Sequence, residues 1–265
     1  GISTAALERM RAVAAKYPPS VLRGQPLVET TVRVATWNLW WRYGPWEARQ
    51  PAIVAALRAV NADVVCLQEV WQETATGGAS QARILAEELG YAHHAFEGKR
   101  DIDKVLMGVA ILSRWPIKAP AGKALPPCGY DDERRVVLRA QIEGPRGPLS
   151  VYCTHLNWKP DQSDCRVKQL AEVCKFIRAG PGGEDMPPVL CGDLNAVPES
   201  DEVRRLTGKG EVLEKGLALA DAWEVTHPGG PTAAAATWSA ENPWAAAELL
   251  ASRRIDYVLA GQPGP

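Results

Sequence analysis

A short apolar stretch that ends in polar residues carries the clearest chemistry in this sequence. Residues 189–191 are Val-Leu-Cys, and Gly192-Asp193-Leu194-Asn195 follows directly. An apolar run of this length, bounded by turn residues, is typical of a buried strand, and side chains two apart on a strand point to the same side. We therefore expect Asp193 and Asn195 to emerge together at a strand end, one as a base and the other as an amide that holds its target.

Four further stretches repeat this pattern of an apolar strand that carries a polar side chain at or near one end. They contribute an amide, two carboxylates and an imidazole, which are Asn38, Glu69, Asp256 and His155. Taken alone, each has an ordinary interpretation as a turn former, a surface residue or a core histidine. Their repetition along one chain indicates a shared site.

The elements between these stretches are those of an α/β protein. Apolar residues recur at helical spacing in three segments, and a helix-like segment is predicted at 211–219. Two alternating runs, 134–142 and 149–155, predict a hairpin through the Gly144-Pro145-Arg146-Gly147-Pro148 turn. The predicted helices are 47–60, 81–89 and 162–179.

Length and charge exclude several classes of protein. The 265 residues suffice for one large α/β domain, and the formal net charge is -1, which gives no overall sign of nucleic-acid binding. No run of 18 apolar residues predicts a membrane span, and no signal peptide is visible. We interpret residues 1–30 as an N-terminal helical extension packed outside the domain and residues 31–265 as the domain itself.

Six cysteines are present, and none forms a CxxC pair. Cys66, Cys153 and Cys191 lie in apolar, strand-like runs, where cysteine behaves as a small hydrophobic residue. This usage does not resemble a disulfide framework, so we expect reduced thiols and a cytoplasmic location.

Five short motifs, in order across residues 32–260, resemble the endonuclease/exonuclease/phosphatase superfamily. That superfamily includes deoxyribonuclease I-like nucleases, abasic-site endonucleases, neutral sphingomyelinases and inositol-phosphate 5-phosphatases. Each motif is short, but five in the family's order form a specific pattern. They are Thr36-Trp37-Asn38, Leu67-Gln68-Glu69, Thr154-His155-Leu156, Gly192-Asp193-Leu194-Asn195 and Arg254-Ile255-Asp256-Tyr257.

The resemblance implies a four-layer α-β-β-α sandwich with two mixed β-sheets, and metal-dependent hydrolysis of phosphate esters. Glu69 and Asn38 would hold Mg²⁺ or Mn²⁺, since both offer hard oxygen ligands. Asp193 would orient and deprotonate the attacking water, and Asn195 would hold the phosphate or that water. His155 would donate a hydrogen bond to a phosphate oxygen, an interaction typically worth about 10²–10³ in rate. The family counterpart of Asp256 supports a histidine.

The sequence departs from the family pattern at its end. The family closes with Ser-Asp-His on a final strand, and His93, His94 and His227 stand in no such motif. We expect this strand to lie outside the 265 residues or to come from a separate segment; the alternative is a degenerate member of the family. Residues 1–265 alone should therefore show little hydrolase activity.

Three hypotheses about the function remain open. The partner of a nuclease would be DNA or RNA, with Trp40 stacking on bases in a tryptophan-rich stretch; the alternative is that these tryptophans only pack loops. A lipid or small phosphate ester, such as an inositol phosphate, is the second possibility. The near-neutral charge supports it, and the stretch Thr154-His155-Leu156-Asn157-Trp158, followed by Asp161-Gln162-Ser163, resembles sphingomyelinase-type members, which makes Asn157 a candidate substrate-binding residue. The third is a binding protein without activity. Trp238 and Asn242 are further candidates for lining the substrate cleft; the alternative is that they belong to a loop that only wraps the domain.

Overall fold

Two β-sheets carry the candidate site residues. The computed structural model describes residues 31–129, 133–181, 186–228, 235–245 and 250–261. The predicted helical extension at 1–30 lies outside the described residues. Within the described ranges, no helix is long and apolar enough to cross a lipid bilayer.

The first sheet has four strands in the order β1-β2-β4-β3. β1 and β2 are parallel and are connected through helix α1, whereas β4 runs antiparallel to both β2 and β3. These elements are β1 (Val34–Asn38), α1 (Trp46–Val60), β2 (Val64–Glu73), α2 (Gln81–Leu89), β3 (His93–Ile102) and β4 (Val105–Ser113).

The second sheet has six strands in the order β5-β6-β7-β8-β10-β9. The central β7–β8 pair is parallel and is connected through helix α3, whereas the other described pairs of this sheet are antiparallel. The elements are β5 (Ile117–Ala124), β6 (Val136–Gly144), β7 (Gly147–His155), α3 (Ser163–Arg178), β8 (Val189–Asp193), α4 (Asp201–Leu206), β9 (Leu219–Asp221), α5 (Ala222–Thr226) and β10 (Asp256–Gly261).

Strands buried on both faces hold the layers together. Val64 and Cys66 of β2 pack between the sheets against residues of β6 and β7, whereas Val65 and Leu67 face α1 and α2. On the second sheet, Tyr152 and Leu190 pack outward against α3 and α4. This arrangement confirms the predicted four-layer sandwich with two mixed sheets, and the near-continuous apolar runs of the strands reflect burial on both sides.

The predicted helices agree with α1, α2 and α3 to within one residue at each end. The helix predicted at 211–219 is wrong, because these residues form turns that lead into β9. Leu213 and Leu217 have helical spacing and pack against the core, but Gly216 has φ of 73° and interrupts any helix. The short helices α4 and α5 and the strands β3, β5 and β9 have no counterpart among the sequence predictions.

The expectation of reduced thiols is wrong for one pair of cysteines. Cys128 and Cys165 form a disulfide with a Cα–Cα distance of 5.6 Å, which joins the loop after β5 to the first turn of α3. Cys128 lies in a loop and Cys165 in a helix, and only the fold brings these two segments together, so sequence spacing gives no sign of the pairing. The other four thiols are buried.

Candidate active site

The predicted polar residues meet where strands of the two sheets end side by side. His155 of β7 is opposite Asp193 of β8, and Asp193 is opposite Asp256 of β10. In the other sheet Asn38 is the last residue of β1, whereas Glu69 lies in the middle of β2, which continues to Glu73, and Asn38 contacts both Glu69 and Asp193. The expectation that Glu69 lies at a strand end is therefore wrong. The structure thus gathers residues that lie more than 200 positions apart in the sequence.

Local backbone irregularities direct two of these side chains. Glu69 has φ of 52° and lies at a β-bulge between Gln68 and Val70 in the pairing of β2 with β4. A bulge breaks the regular alternation of side chains and is common next to functional sites. Asn195 also has positive φ, at 49°. Left-handed backbone at non-glycine residues is uncommon, and in both places it occurs in a predicted site motif.

Gly192 allows the strands that carry His155 and Asp193 to approach closely. A Cβ at this position would lie 2.0 Å from the carbonyl oxygen of Thr154 on the neighbouring strand. Only glycine avoids this collision. The glycine of the Gly-Asp-x-Asn motif is therefore required for the β7–β8 pairing that sets His155 beside Asp193.

Asn38 bridges the two sheets. Its Nδ2 donates to Glu69 Oε1 and to Asp193 Oδ2, each at 3.0 Å, and its Oδ1 accepts from the backbone N–H of Trp40 at 2.9 Å. In this orientation the amide holds two carboxylates from different sheets in fixed positions. Asp193 is oriented further by the backbone N–H of Asn195, which donates to its Oδ1 at 2.9 Å.

His155 lies between donors and carboxylates. Its Nε2 is 3.7 Å from Asp193 Oδ2 and 4.0 Å from Glu69 Oε1. The Asn195 side-chain nitrogen is 3.2 Å from the same ring nitrogen and donates to the carbonyl oxygen of Leu156 at 3.1 Å. Two polar groups, an imidazole and an amide, therefore lie side by side next to the carboxylates.

Three charged residues behind His155 have no counterpart among the predicted site residues. Arg135 Nη1 is 2.7 Å from His155 Nδ1, and Arg135 Nη2 pairs with Glu133 Oε2 at 2.7 Å. Arg100 pairs with the same Glu133 oxygen at 3.1 Å. These residues belong to no motif, and the packing of the two sheets against each other brings Arg100 of β3 to Glu133 and Arg135, so nothing in the local sequence marks them.

Burial makes the carboxylate cluster electrostatically unfavourable. Burial and then the charge of Asp256 raise the pKa of Asp193 to about 7. Burial raises the pKa of Asp256 to about 6, and the pKa of Glu69 is raised mainly by burial too. Burial and the positive charges of Arg135 and Arg100 hold the pKa of His155 well below 6.5. A proton or a cation would therefore be stabilised among these carboxylates.

The residues present fit a hard cation held by few protein ligands. Within the described residues, no group of three or more His, Cys, Asp or Glu side chains has the arrangement of a metal site. Mg²⁺, however, commonly uses one or two carboxylates together with water and substrate phosphate. Glu69 supplies such a carboxylate, and in the described part of the chain Asp256 Oδ1 is buried without a hydrogen-bond partner.

Trp40 lies at the rim of this site, next to Asn38. Its ring centroid is 5.7 Å from that of Trp244, whose side chain is 58% exposed. Asn242 Oδ1 accepts from the backbone N–H of Trp244 at 3.1 Å, so it holds the turn that carries this ring. Trp40 and Trp244 form an aromatic pair, which we call the aromatic rim.

The remaining two predicted substrate-binding residues, Trp238 and Asn157, are not part of the aromatic rim. The Trp238 ring packs under the guanidinium of Arg253 at 4.7 Å, and its neighbour Thr237 accepts from the backbone N–H of Asp256 at 3.1 Å. Asn157 is 1% exposed, and its side chain bonds to Gln169 and Gln162. The structure therefore places Trp238 next to the segment before β10 and Asn157 in a buried polar network.

Comparison with known proteins finds a family match that covers most of the chain. The model of the endonuclease/exonuclease/phosphatase family matches residues 35–264. Protein angel homolog 2 of Mus musculus is 32% identical over 189 residues, which is 66% of this chain and 33% of that protein. The chain thus spans about a third of the length of this relative.

Solved structures share the fold. An endonuclease/exonuclease/phosphatase from Beutenbergia cavernae superposes with a TM-score of 0.64 at 28% identity, over 86% of this chain and 64% of that chain. ANGEL2, a 2′,3′-cyclic phosphatase solved with adenosine-2′,3′-vanadate, superposes with a TM-score of 0.61 at 19% identity, over 87% and 83% of the two chains. By its motifs, its layered sheets and the family match, the chain belongs to the endonuclease/exonuclease/phosphatase family.

Proposed function

We propose that this chain is a divalent-metal-dependent phosphodiesterase that acts on nucleic acid or on a nucleotide. One observation carries the proposal: Glu69, Asp193 and Asp256 converge with the side chains of His155 and Asn195 where the ends of β7, β8 and β10 meet the bulge of β2. A phosphate diester is an anion that repels nucleophiles, so its hydrolysis requires charge neutralisation and an oriented base. This cluster of groups suits both requirements.

Asp193 has the geometry of a base that orients water. Both of its oxygens are engaged, by Asn38 Nδ2 and by the Asn195 backbone N–H, so the carboxylate cannot rotate freely. A fixed carboxylate can accept a proton from a water molecule in line with a bound phosphate. Asn195 and His155 would then contact the phosphate oxygens, where negative charge develops.

Glu69 would hold Mg²⁺ or Mn²⁺ beside the phosphate. Asn38 would keep this carboxylate in place through its Nδ2 rather than act as a ligand itself, because its Oδ1 accepts from the backbone N–H of Trp40. When bound, the cation neutralises phosphate charge and polarises the ester. The preference for a hard cation follows from the oxygen donors. Asp256 Oδ1 is buried and available to accept a hydrogen bond, which supports the role of holding a histidine that the resemblance assigns to it.

The aromatic rim favours a substrate that carries a base. Trp40 is half-buried and Trp244 is exposed, and stacking of one base on such a ring is worth about 1–3 kcal/mol. The structural relative ANGEL2 is a 2′,3′-cyclic phosphatase and was solved with an adenosine derivative. We therefore favour nucleic acid or a nucleotide over a lipid headgroup as the substrate.

Metal-dependent turnover by the 265-residue chain tests this function. Plasmid DNA, adenosine 2′,3′-cyclic phosphate, bis-p-nitrophenyl phosphate and sphingomyelin would each be incubated with Mg²⁺, Mn²⁺ or EDTA. We expect slow turnover of the nucleotide substrates with either metal and none with EDTA. Asp193→Ala should abolish it, whereas Asp103→Ala, which removes an exposed carboxylate in the β3–β4 turn, should not.

Other outcomes would select other functions. Cleavage of sphingomyelin without cleavage of any nucleotide substrate would favour the lipid alternative. Metal-dependent binding of substrate without turnover, equal in the original chain and in Asp193→Ala, would indicate a binding protein. Turnover that persists in Asp193→Ala would reject the assignment of the base.

A further inference from the structure

A buried arginine lies directly behind His155. Arg135 and His155 are 8% and 5% exposed, and Arg135 Nη1 lies 2.7 Å from His155 Nδ1. Arg135 comes one residue before β6, and β6 pairs with β7, the strand that ends at His155. The hairpin itself therefore aims the guanidinium at the imidazole.

The contact with Arg135 determines which ring nitrogen of His155 carries a hydrogen. A guanidinium donates hydrogen bonds and accepts none, and it keeps its charge in proteins. A ring nitrogen 2.7 Å from it must therefore present a lone pair, so Nδ1 carries no hydrogen. A neutral imidazole then carries its single N–H at Nε2, and a protonated imidazole would set two N–H groups against each other. The Asn195 side-chain nitrogen lies 3.2 Å from Nε2, but it is uncharged, more distant than the guanidinium and already donates to the carbonyl oxygen of Leu156, so the Arg135 contact decides the tautomer.

Arg135 is itself held in place. Glu133 Oε2 accepts from both Arg135 and Arg100, and the Trp158 indole N–H donates to Glu133 Oε1 at 3.3 Å. Because Nη2 of Arg135 is bound by Glu133, its Nη1 is directed at His155. The two arginines and one glutamate leave one net positive charge behind the ring.

We propose that Arg135 is a positioning residue that locks His155 in its neutral Nε2–H form. His155 then presents a hydrogen-bond donor toward the carboxylates of Asp193 and Glu69, where the phosphate would bind, and holds no second proton to give to a leaving group. Its role is thus electrostatic, as a preorganised donor to developing charge. The catalytic part of this inference rests on the proposed function, whereas the tautomer does not.

The imidazole nitrogens report the tautomer directly. Long-range ¹H–¹⁵N correlation spectra of the uniformly labelled, metal-free chain distinguish a protonated from an unprotonated ring nitrogen, and His155→Asn identifies the signals of His155. We expect Nδ1 to be unprotonated and Nε2 to be protonated. Arg135→Met should lose this pattern, while Arg135→Lys, which keeps a charged donor, should retain it at least in part.

Arg166→Met is the matched control. Arg166 is as buried as Arg135 and pairs with Glu202 at 2.8 Å, and its described contacts do not include His155. The His155 pattern should be unchanged in this variant. An Nδ1–H tautomer in the original chain would overturn the proposal, and so would an unchanged pattern in Arg135→Met. If Arg135→Met does not fold, the spectra of the original chain and of Arg135→Lys decide.

Kinetics test the catalytic part separately. In a chain that turns over substrate, Arg135→Met should lower kcat at least about 10-fold, because removing such a donor completely lowers kcat by about 10²–10³-fold. KM should change by less than about 3-fold, the signature of an interaction made in the transition state. An unchanged kcat would overturn this part. An Nε2–H tautomer in a chain without any turnover would count against the proposed function and leave the positioning role intact.

Discussion

At the scale of single residues, one amide organises the site. Asn38 donates to carboxylates that belong to different sheets, so it offsets part of their repulsion and fixes their separation. Each such bond to a charged group contributes about 1.5–3 kcal/mol when its partner is buried. The same residue reaches the aromatic rim through the Trp40 backbone, and this contact links the carboxylates to the predicted base-binding rings.

Asn38→Asp should destabilise the metal-free protein. The change removes the shared donor and adds a carboxylate beside Glu69 and Asp193, so the free energy of unfolding should fall by about 2–4 kcal/mol. Urea unfolding with EDTA measures it. The control is Asn242→Asp, which retains the oxygen that accepts from Trp244. Equal stability of the two variants would contradict the bridging role of Asn38.

At the scale of elements, strand pairing decides the site's geometry. The parallel β7–β8 pair sets His155 beside Asp193, and the antiparallel β8–β10 pair adds Asp256. His155 and Asp193 are the last residues of β7 and β8, and Asp256 is the first residue of the antiparallel β10, so the three side chains come within reach without any long loop. The bulge at Glu69 and the glycine at 192 are the two local adjustments that this pairing needs.

Gly192→Ala should separate β7 from β8. A Cβ 2.0 Å from the Thr154 carbonyl oxygen forces the strands apart, so we expect a loss of about 3 kcal/mol or more in the free energy of unfolding. Gly147→Ala is the comparison, because that glycine also has positive φ but nothing lies within 4 Å of its Cβ position. Thermal and urea unfolding of both variants would show it, and a smaller loss in Gly192→Ala than in Gly147→Ala would refute the close-approach argument.

The disulfide should stabilise the chain measurably. It closes a loop with a sequence separation of 37 between Cys128 and Cys165. Constraining such a loop in the unfolded state is worth about 3–4 kcal/mol. The double variant Cys128→Ala/Cys165→Ala should lose about this much in urea unfolding and should no longer respond to dithiothreitol. An original chain that is insensitive to dithiothreitol would indicate that the bond does not stabilise it.

At the scale of the whole molecule, the site lies in a well-packed sandwich, and repulsion among its carboxylates lowers the free energy of unfolding of that sandwich. Three packed clusters, one between the sheets and one under each helix layer, fix the strands whose ends carry the carboxylates. Because those strands cannot move apart, the carboxylates stay close despite their repulsion. Part of the folding free energy is thus used to maintain a charged cluster that favours a cation.

The stability of the metal-free protein should therefore fall as the pH rises. The folded state raises the pKa of Asp193 from 3.8 to about 7 and that of Asp256 from 3.8 to about 6, so it binds protons more tightly than the unfolded state. The free energy of unfolding contributed by these groups is thus highest below pH 3.8 and is lost by about pH 7. Urea unfolding with EDTA across this range measures the slope.

Asp193→Asn should weaken the dependence of the free energy of unfolding on pH. Asp103→Asn, at an exposed turn, should leave this dependence unchanged. Millimolar Mg²⁺ should restore stability more at pH 7.5 than at pH 5, because the cation competes with protons for the same oxygens. An equal effect of Mg²⁺ at both pH values would contradict a site among these carboxylates.

The sequence by itself determined the strands that carry the site motifs, the three long helices, the family and the set of polar site residues. These follow from local signals, since apolar periodicity and short motifs are written in consecutive residues. Only the tertiary structure decided that Arg135, Glu133 and Arg100 lie behind His155, that Cys128 pairs with Cys165, and that Asn157 faces a buried network. These contacts join segments that are distant in the chain, and strand pairing and layer packing, which no local pattern encodes, bring them together.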